Sequence, residues 1–141
     1  MKLSIVMPVY NEEATLREIV ARVLATPHEK ELLLVDDCSQ DSSPEIIALL
    51  VAEHPEVRSF RHETNLGKGA ALRTGFQNVE GDVVVIQDAD LEYDPADYAK
   101  LLAPFEAGEA DVVYGSRFLG GAYTRDVSFW RYMGNRTLTR V

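Results

Sequence analysis

A short β-branched run that stops abruptly at two carboxylates sets the main constraint on how this chain can fold. Val83 to Ile86 is β-branched throughout, as in a strand buried on both faces in the middle of a parallel sheet. Ligands of open α/β sheets bind beyond the carboxyl ends of the strands. We therefore expect Asp88, Ala89 and Asp90 to lie where a ligand is held.

The carboxylates after this run are candidate metal ligands. Asp88 and Asp90 are two residues apart and can share one divalent cation, to which Glu92 can add a third oxygen donor. Mg²⁺ and Mn²⁺ both prefer carboxylate and phosphate oxygens, so we expect one of them here. The alternative for an Asp-x-Asp pair is a solvated turn before a helix. Asp94 followed by Pro95 fits a helix cap, so Asp94 is expected to be structural.

Apolar runs and helical patterns alternate along the whole chain. The predicted strands cover 3–9, 31–35, 57–61, 83–86 and 110–114, and the predicted helices cover 14–24, 43–54, 70–78 and 95–105. We expect Asn11 to cap the first helix and Ser43 the second. Such alternation implies right-handed βαβ crossovers, hence an α/β fold: a three-layer α/β/α sandwich with a mainly parallel, Rossmann-like sheet. No linker divides residues 1–141, and the segment from Ser128 stops without a helix cap, which favours a chain truncated at its carboxyl end.

Composition narrows the class of protein. The 141 residues are 46% hydrophobic and 26% charged, with no run long enough for a membrane span and no signal peptide, so we expect a cytoplasmic protein. Cys38 is the one cysteine, which excludes internal disulfides and thiolate zinc sites. The net charge is −9, and residues 115–141 alone carry five arginines against one aspartate. The acidic body argues against nucleic-acid binding, and its anionic ligands would need a bridging cation.

Several common signatures are absent. The glycines at 67 and 69 have no third partner at position 72, so a dinucleotide fingerprint fails. Lys68 is followed by Gly69, which rules out a Walker loop, and no Gly-x-Ser-x-Gly elbow is present. The three histidines lack ligand spacing and are expected at the surface or at strand ends.

The remaining strand-end segments would converge on one crevice. The backbone and rings of the segment Pro8, Val9 and Tyr10 can flank a nucleotide base, and Asp37 can accept hydrogen bonds from ribose or base N–H groups. Lys68 and the positive end of the third helix can assist a diphosphate held by the metal.

The same segments carry a family resemblance. The matching segments are Val6-Met7-Pro8-Val9-Tyr10-Asn11-Glu12, Val35-Asp36-Asp37-Cys38-Ser39, Asn65-Leu66-Gly67-Lys68-Gly69-Ala70, Gly81-Asp82, Asp88-Ala89-Asp90-Leu91-Glu92 and Gly115-Ser116-Arg117-Phe118. These segments follow one another as they do in the family 2 glycosyltransferases of the GT-A fold. The chain resembles that family, in its dolichol- or polyprenyl-phosphate mannose or glucose synthase-like branch.

The resemblance implies roles for particular residues. It implies nucleotide contacts from Pro8, Tyr10, Glu12, Val35, Asp37, Asp88 and Ala89. It also implies metal binding by Asp90 with Glu92 beside it, and a contact from Arg117 to phosphate or acceptor, which makes Asp90 and Arg117 the candidate catalytic residues. Glu92 stands where the lipid-phosphate members often carry Gln, and the family's catalytic domain continues well past residue 141.

The implied activity is inverting transfer of a hexose from a donor of the GDP-mannose or UDP-glucose type. A polyprenyl or dolichyl phosphate acceptor is already anionic and needs no general base, whereas a sugar hydroxyl would need one. Arg125, Arg131, Arg136 and Arg140, interleaved with aromatic residues, suit a lipid phosphate at the inner membrane face, or else form a solvated helix with an aromatic packing face.

Three alternatives from other classes remain at this point. A phosphoryl-accepting receiver domain would share the acidic pair Asp36-Asp37, but it lacks the preceding strand and helix. A sugar-nucleotide pyrophosphorylase would want a Gly-rich, Arg-containing loop where this chain has Tyr10 to Glu13. An inactive transferase fragment that only binds its ligand is the third alternative. The sequence does not distinguish the donor base, the sugar or the oligomeric state.

Overall fold

The structure is a computed structural model that describes residues 1–115. The strands are β1 (Leu3–Val9), β2 (Lys30–Asp36), β3 (Val57–Arg61) and β4 (Val83–Ile86). The helices are α1 (Leu16–Leu24), α2 (Ser43–Glu53), α3 (Lys68–Phe76) and α4 (Tyr98–Glu106), and a 3₁₀ turn, Pro95–Asp97, precedes α4. The four strands form one sheet in the order β3-β2-β1-β4, and every neighbouring pair is parallel.

The strand order explains how the helices are layered. The chain moves one way from β1 to β2 to β3 and then crosses back to β4 on the other side of β1. Right-handed crossovers therefore put α1 and α2 on one face of the sheet and α3 on the other. The predicted α/β/α sandwich with a parallel sheet is confirmed.

The core lies where the two central strands meet these helices. Every residue of β1 except Pro8, and every residue of β2 except Lys30, is buried, as expected for strands covered on both faces. α3 packs closely on β1, because Gly75 faces Val6 with no room for a Cβ atom between them.

A buried carboxylate ties the amino ends of the strands together. Glu31 accepts hydrogen bonds from Ser4 Oγ and the Glu80 N–H, both at 2.5 Å, and its other oxygen lies 3.1 Å from Arg58 Nη1. Burial alone would raise the pKa of Glu31, but the bonds from Ser4, Glu80 and Arg58 outweigh it and hold this pKa below its ordinary value. The charge at this end of the sheet is therefore compensated.

Two predictions about the sheet differ from what residues 1–115 show. β4 forms an edge of the described sheet and not its middle, and Val84 and Ile86 are 40% and 51% exposed. Residues 110–114, predicted as a fifth strand, are irregular, and Tyr114 is 89% exposed. The apolar runs gave the propensity for a strand correctly at β4, but propensity does not decide where a strand pairs, or whether it pairs at all.

The chain divides into two compact units, Met1–Asp97 and a unit that begins at Tyr98. The first holds the sheet and α1 to α3. In the second, α4 ends in a tight turn in which the Gly108 N–H donates to Phe105 O at 3.0 Å, and Gly108 has a φ of 69°. No helix within residues 1–115 has the length and apolar composition to cross a bilayer.

Candidate functional site

A cleft opens where the direction of strand succession reverses, at the carboxyl ends of β1 and β4. This is the topological switch point at which α/β sheets bind ligands. The cleft has a volume of about 370 Å³, within the range of small-molecule sites. We call it the strand-end cleft, and it is lined by Pro8, Val9, Tyr10, Glu12, Asp37, Asn65, Gly67, Lys68, Ala71, Asp88, Ala89 and Asp90.

The loops after β1 and β2 are fastened to each other at one side of the cleft. The Asn11 N–H donates to Ser39 Oγ at 3.0 Å, and Asn11 Oδ1 accepts from the Gln40 N–H at 2.8 Å. The Glu12 N–H donates to Ser43 Oγ at 3.0 Å. Asn11 and Ser43 were predicted to cap helices, but their side chains join these two loops instead, and α1 begins later, at Leu16. A local sequence pattern for a cap does not exclude a partner from a distant loop.

The loop after β4 is fastened to the start of α1. Thr15 Oγ1 donates to the carbonyl oxygen of Ala89 at 2.6 Å. Each of the loops after β1, β2 and β4 also contains one non-glycine residue in the left-handed region, namely Asn11, Cys38 and Leu91, with φ of 54°, 66° and 63°. Such conformations persist only where surrounding contacts hold them, so the walls of the cleft are specified by tertiary structure.

Asp37 is the most constrained carboxylate of the cleft. It is 3% exposed and accepts hydrogen bonds from the Leu66 N–H at 2.9 Å, the Gly67 N–H at 2.7 Å and His62 Nδ1 at 2.7 Å. Burial by itself would raise the pKa of Asp37, but the bonds from Leu66, His62 and Gly67 outweigh it and hold the pKa below its ordinary value. Asp37 therefore holds the loop before α3 in place while it lines the cleft.

The cleft carries more negative than positive charge. Among residues 1–115, its lining includes the carboxylates of Glu12, Asp37, Asp88 and Asp90, and Lys68 is the one cationic side chain. The pKa of Glu12 lies above its ordinary value: burial raises it most, the bond from Thr15 opposes this, and Asp90, Asp41 and Asp88 raise it further. Lys68 Nζ lies 2.5 Å from Asp88 Oδ1 and neutralises that carboxylate. An anionic ligand would meet a repulsive field here unless it came with a cation.

The three predicted metal ligands are not gathered into a ready-made cage. Within residues 1–115, no group of three His, Cys, Asp or Glu side chains is arranged to hold a metal ion. Asp90 Oδ1 accepts the Glu92 N–H at 3.0 Å, while Glu92 itself is exposed and outside the cleft lining. Mg²⁺ is usually held by one or two carboxylates together with substrate phosphates, so Asp88 and Asp90 still fit such an ion.

The cleft gathers nine of the predicted site residues. They are Pro8, Val9, Tyr10, Glu12, Asp37, Lys68, Asp88, Ala89 and Asp90. Val35 has no exposed surface with which its side chain could contact a ligand. Arg117 and the other arginines predicted to meet an acceptor lie outside the described residues, as does the helix predicted from Ser128.

Of four further residues at or beside the cleft, sequence reasoning placed Gly67 there only as a neighbour of Lys68 and gave no site role to the other three. Asn65, Gly67 and Ala71 line it, and His62, expected at the surface or a strand end, does follow a strand but contacts Asp37. Asn65 and Gly67 lay within a recognised motif, which was a usable signal. For His62 the signal was its position directly after β3, since a side chain there faces the same edge as the other strand ends.

A parallel sheet with a ligand cleft at its switch point occurs in several α/β folds, and the GT-A glycosyltransferase fold is one of them. A solved structure that is similar to this chain is the mannosyltransferase PcManGT from Pyrobaculum calidifontis in complex with GDP-Man and Mn²⁺. The TM-score is 0.59 and the sequence identity is 27%, and the match covers 62% of this chain and 27% of that one. Residues 4–138 match Glycosyl transferase family 2, and the chain belongs to this family. Membership makes the receiver and pyrophosphorylase alternatives wrong.

Curated relatives agree with this assignment. An undecaprenyl-phosphate 4-deoxy-4-formamido-L-arabinose transferase from Shewanella sediminis is 40% identical over 111 residues, which cover 75% of this chain and 34% of the relative. A dolichol-phosphate mannosyltransferase from Pyrococcus furiosus is 33% identical over 133 residues, covering 93% of this chain and 37% of the relative. The chain thus spans about a third of the length of these relatives.

Proposed function

We propose that residues 1–141 form the donor-binding part of an inverting, metal-dependent hexosyltransferase whose acceptor is a polyprenyl or dolichyl phosphate. The observation that carries this proposal is the strand-end cleft, in which Asp88 and Asp90 follow β4 and face the loops after β1 and β2. The donor would be a nucleotide-diphosphate sugar of the GDP-mannose or UDP-glucose type. The named relatives act on lipid phosphates, which supports this class of acceptor.

Each wall of the cleft has a part in holding the donor. Pro8 and the half-exposed ring of Tyr10 would flank the base, while Glu12 and the backbone of Val9 border the same space. Asp37 keeps the opposite wall in place through Leu66 and Gly67, and Ala89 offers a small surface between the two aspartates. The cleft volume of about 370 Å³ suits one nucleotide better than a whole lipid acceptor.

Asp88 and Asp90 would hold Mg²⁺ or Mn²⁺ together with the diphosphate of the donor. A bound divalent cation supplies Lewis-acid stabilisation of the charge that grows on the leaving diphosphate. Lys68 would turn from Asp88 to a phosphate oxygen, and the amino end of α3 adds its dipole to the same region. The solved mannosyltransferase structure with GDP-Man and Mn²⁺ supports a divalent cation bound together with a nucleotide sugar.

The transfer itself needs little from an acid or base in the chain. The bond between the sugar C1 and the diphosphate breaks, and a new bond forms from C1 to an oxygen of the acceptor phosphate on the opposite face. That oxygen is already anionic near neutral pH, so no proton has to be removed. Arg117 is the residue proposed to contact the acceptor phosphate, and the arginines after it would hold the chain near the membrane surface from the cytoplasmic side.

Transfer of labelled hexose tests this proposal. The 141-residue chain is incubated with Mn²⁺, a detergent-dispersed polyprenyl phosphate and labelled GDP-mannose or UDP-glucose, and the label in the lipid phase is counted. Lipid-linked sugar from at least one donor is expected, and Asp90→Asn should abolish it. Asp82→Asn is the matched control, since it makes the same change at the amino end of β4. Transfer that persists in Asp90→Asn or in excess chelator would contradict the metal role, and binding of donor without transfer would favour a fragment that only binds.

A further inference from the structure

His62 links three elements behind the wall of the strand-end cleft. It directly follows β3, and its side chain is 11% exposed. Nδ1 lies 2.7 Å from Asp37 Oδ1, in the segment after β2, and Nε2 lies 2.8 Å from Thr74 Oγ1, on α3. The imidazole is thus held from both sides by elements that the chain supplies far apart in sequence.

The chemistry of the partners fixes the orientation of the ring. A carboxylate can only accept, so the proton on Nδ1 is donated to Asp37. The hydroxyl of Thr74 can donate to Nε2 or accept from it, so it serves as a partner for either form of the imidazole. Asp37 therefore accepts a hydrogen bond from His62, and the contact of His62 with Thr74 on α3 fixes the position of the ring.

The other hydrogen bonds of Asp37 connect the His62–Asp37 contact to the cleft. The carboxylate accepts from the N–H groups of Leu66 and Gly67, and Gly67, with φ of 88°, is the residue from which α3 starts. Gly67 and Lys68 both line the cleft. The position of this wall depends on the orientation of Asp37, and that orientation depends on His62.

We propose that His62 is a positioning residue of the nucleotide-sugar site: it orients Asp37, which orders the segment 65–67 and so places Lys68 for the donor diphosphate. The ligand class in this inference rests on the proposed function, whereas the ordering of the segment does not. His62 itself touches no ligand in this arrangement, because it acts through Asp37.

The side chains allow a set of graded variants. His62→Leu removes both hydrogen bonds at similar volume, whereas His62→Asn keeps an N–H donor near the position of Nδ1 and loses the contact with Thr74. Thr74→Val removes the outer contact alone. His28→Leu is the matched control, because this histidine precedes β2 at the amino end of the sheet, away from the cleft.

Two readouts separate positioning from general stability. Amide hydrogen exchange is measured at Leu66 and Gly67 relative to the core of β1, and the affinity for UDP and GDP with Mn²⁺ is measured by calorimetry. For His62→Leu we expect exchange at the two amides to rise about tenfold with β1 unchanged, and affinity to fall about tenfold, the factor expected for one hydrogen bond to a charged group. His62→Asn should keep most of the amide protection and most of the affinity. Thr74→Val should give values between those of His62→Leu and His62→Asn, and His28→Leu should match the wild type.

Other outcomes are equally decisive. Unchanged protection of Leu66 and Gly67 in His62→Leu, or equal loss of protection throughout the sheet, would overturn the inference. If His62→Leu does not fold, Thr74→Val against His62→Asn decides it through the same two readouts. A wild type that binds neither nucleotide would contradict the proposed function, while the exchange measurement would still decide whether His62 orders this wall.

Discussion

Lys68 Nζ lies 2.5 Å from Asp88 Oδ1, and both residues line the strand-end cleft. The lysine side chain is 57% exposed and the aspartate 22%. An ion pair this open to water contributes at most about 1 kcal/mol, so a divalent cation and a diphosphate can readily separate it. We propose that a divalent cation bound by Asp88 would compete with Lys68 for this carboxylate.

This interpretation predicts opposite effects of Lys68→Met on two ligands. Removal of the lysine leaves Asp88 uncompensated beside Asp90, so Mn²⁺ alone should bind severalfold more tightly, as measured by titration of free Mn²⁺. Nucleoside diphosphate should bind more weakly, because it loses a cationic contact. Lys2→Met, which removes the same charge at the amino end of β1, should change neither affinity. Unaltered Mn²⁺ binding by Lys68→Met would mean that the lysine does not compete for this carboxylate.

The two glycines of α3 should respond differently to alanine. In Gly75→Ala the new methyl group would collide with Val6, and overpacking of this kind costs about 1–3 kcal/mol of unfolding free energy. In Gly69→Ala the new Cβ atom meets nothing within 4 Å and φ is not positive, so a gain of about 0.5 kcal/mol is expected from helix propensity. Urea denaturation of the two variants measures both effects. Similar stabilities would show that α3 does not approach β1 as closely as described.

Glu31 should make stability depend on acid. Its pKa in the folded protein lies below the ordinary value of 4.5, so the folded state gains stability above that value and loses it as the pH falls through the folded pKa. Glu31→Gln should be less stable at pH 7 by about 1–2 kcal/mol, because the hydrogen bonds from Ser4, the Glu80 N–H and Arg58 lose a charged acceptor, while Arg58 keeps its contact with Glu80. The difference from wild type should shrink below about pH 4.

The control for this effect is Glu29→Gln, which alters an exposed side chain two residues earlier. It should follow the wild type at every pH in urea denaturation. A Glu31→Gln variant that stays equally far below wild type from pH 7 to pH 3 would show that the carboxylate is not the source of the acid sensitivity.

The order of elements and the edge that carries the site were accessible from sequence. Apolar runs followed by polar residues predicted strand ends at residues 9, 35 and 86, and the observed strands end at Val9, Asp36 and Ile86. The alternation with helices predicted the parallel topology. Because the carboxyl ends of parallel strands share one edge, residues far apart in the chain could be assigned to one cleft.

What could not be predicted depends on contacts between distant segments. Asn11 and Ser43 have the local pattern of helix caps, yet each joins a loop about thirty residues away, with sequence separations of 29 and 31. The hydrogen bonds of His62 with Asp37 and Thr74 join residues separated by 25 and 12 positions, and no sequence periodicity predicts them. The edge position of β4 was missed because an all-apolar run is compatible with either position in a sheet.

The most direct test of the account is the dependence of nucleotide affinity on a divalent cation and on Asp90. UDP and GDP are titrated into the wild type, Asp90→Asn and Asp82→Asn by calorimetry, each with Mn²⁺ and with chelator. We predict that at least one nucleotide binds the wild type and Asp82→Asn only with Mn²⁺, and that Asp90→Asn binds it at least about tenfold more weakly. Equal affinity in chelator, or an Asp90→Asn variant that binds like the wild type, would contradict the account.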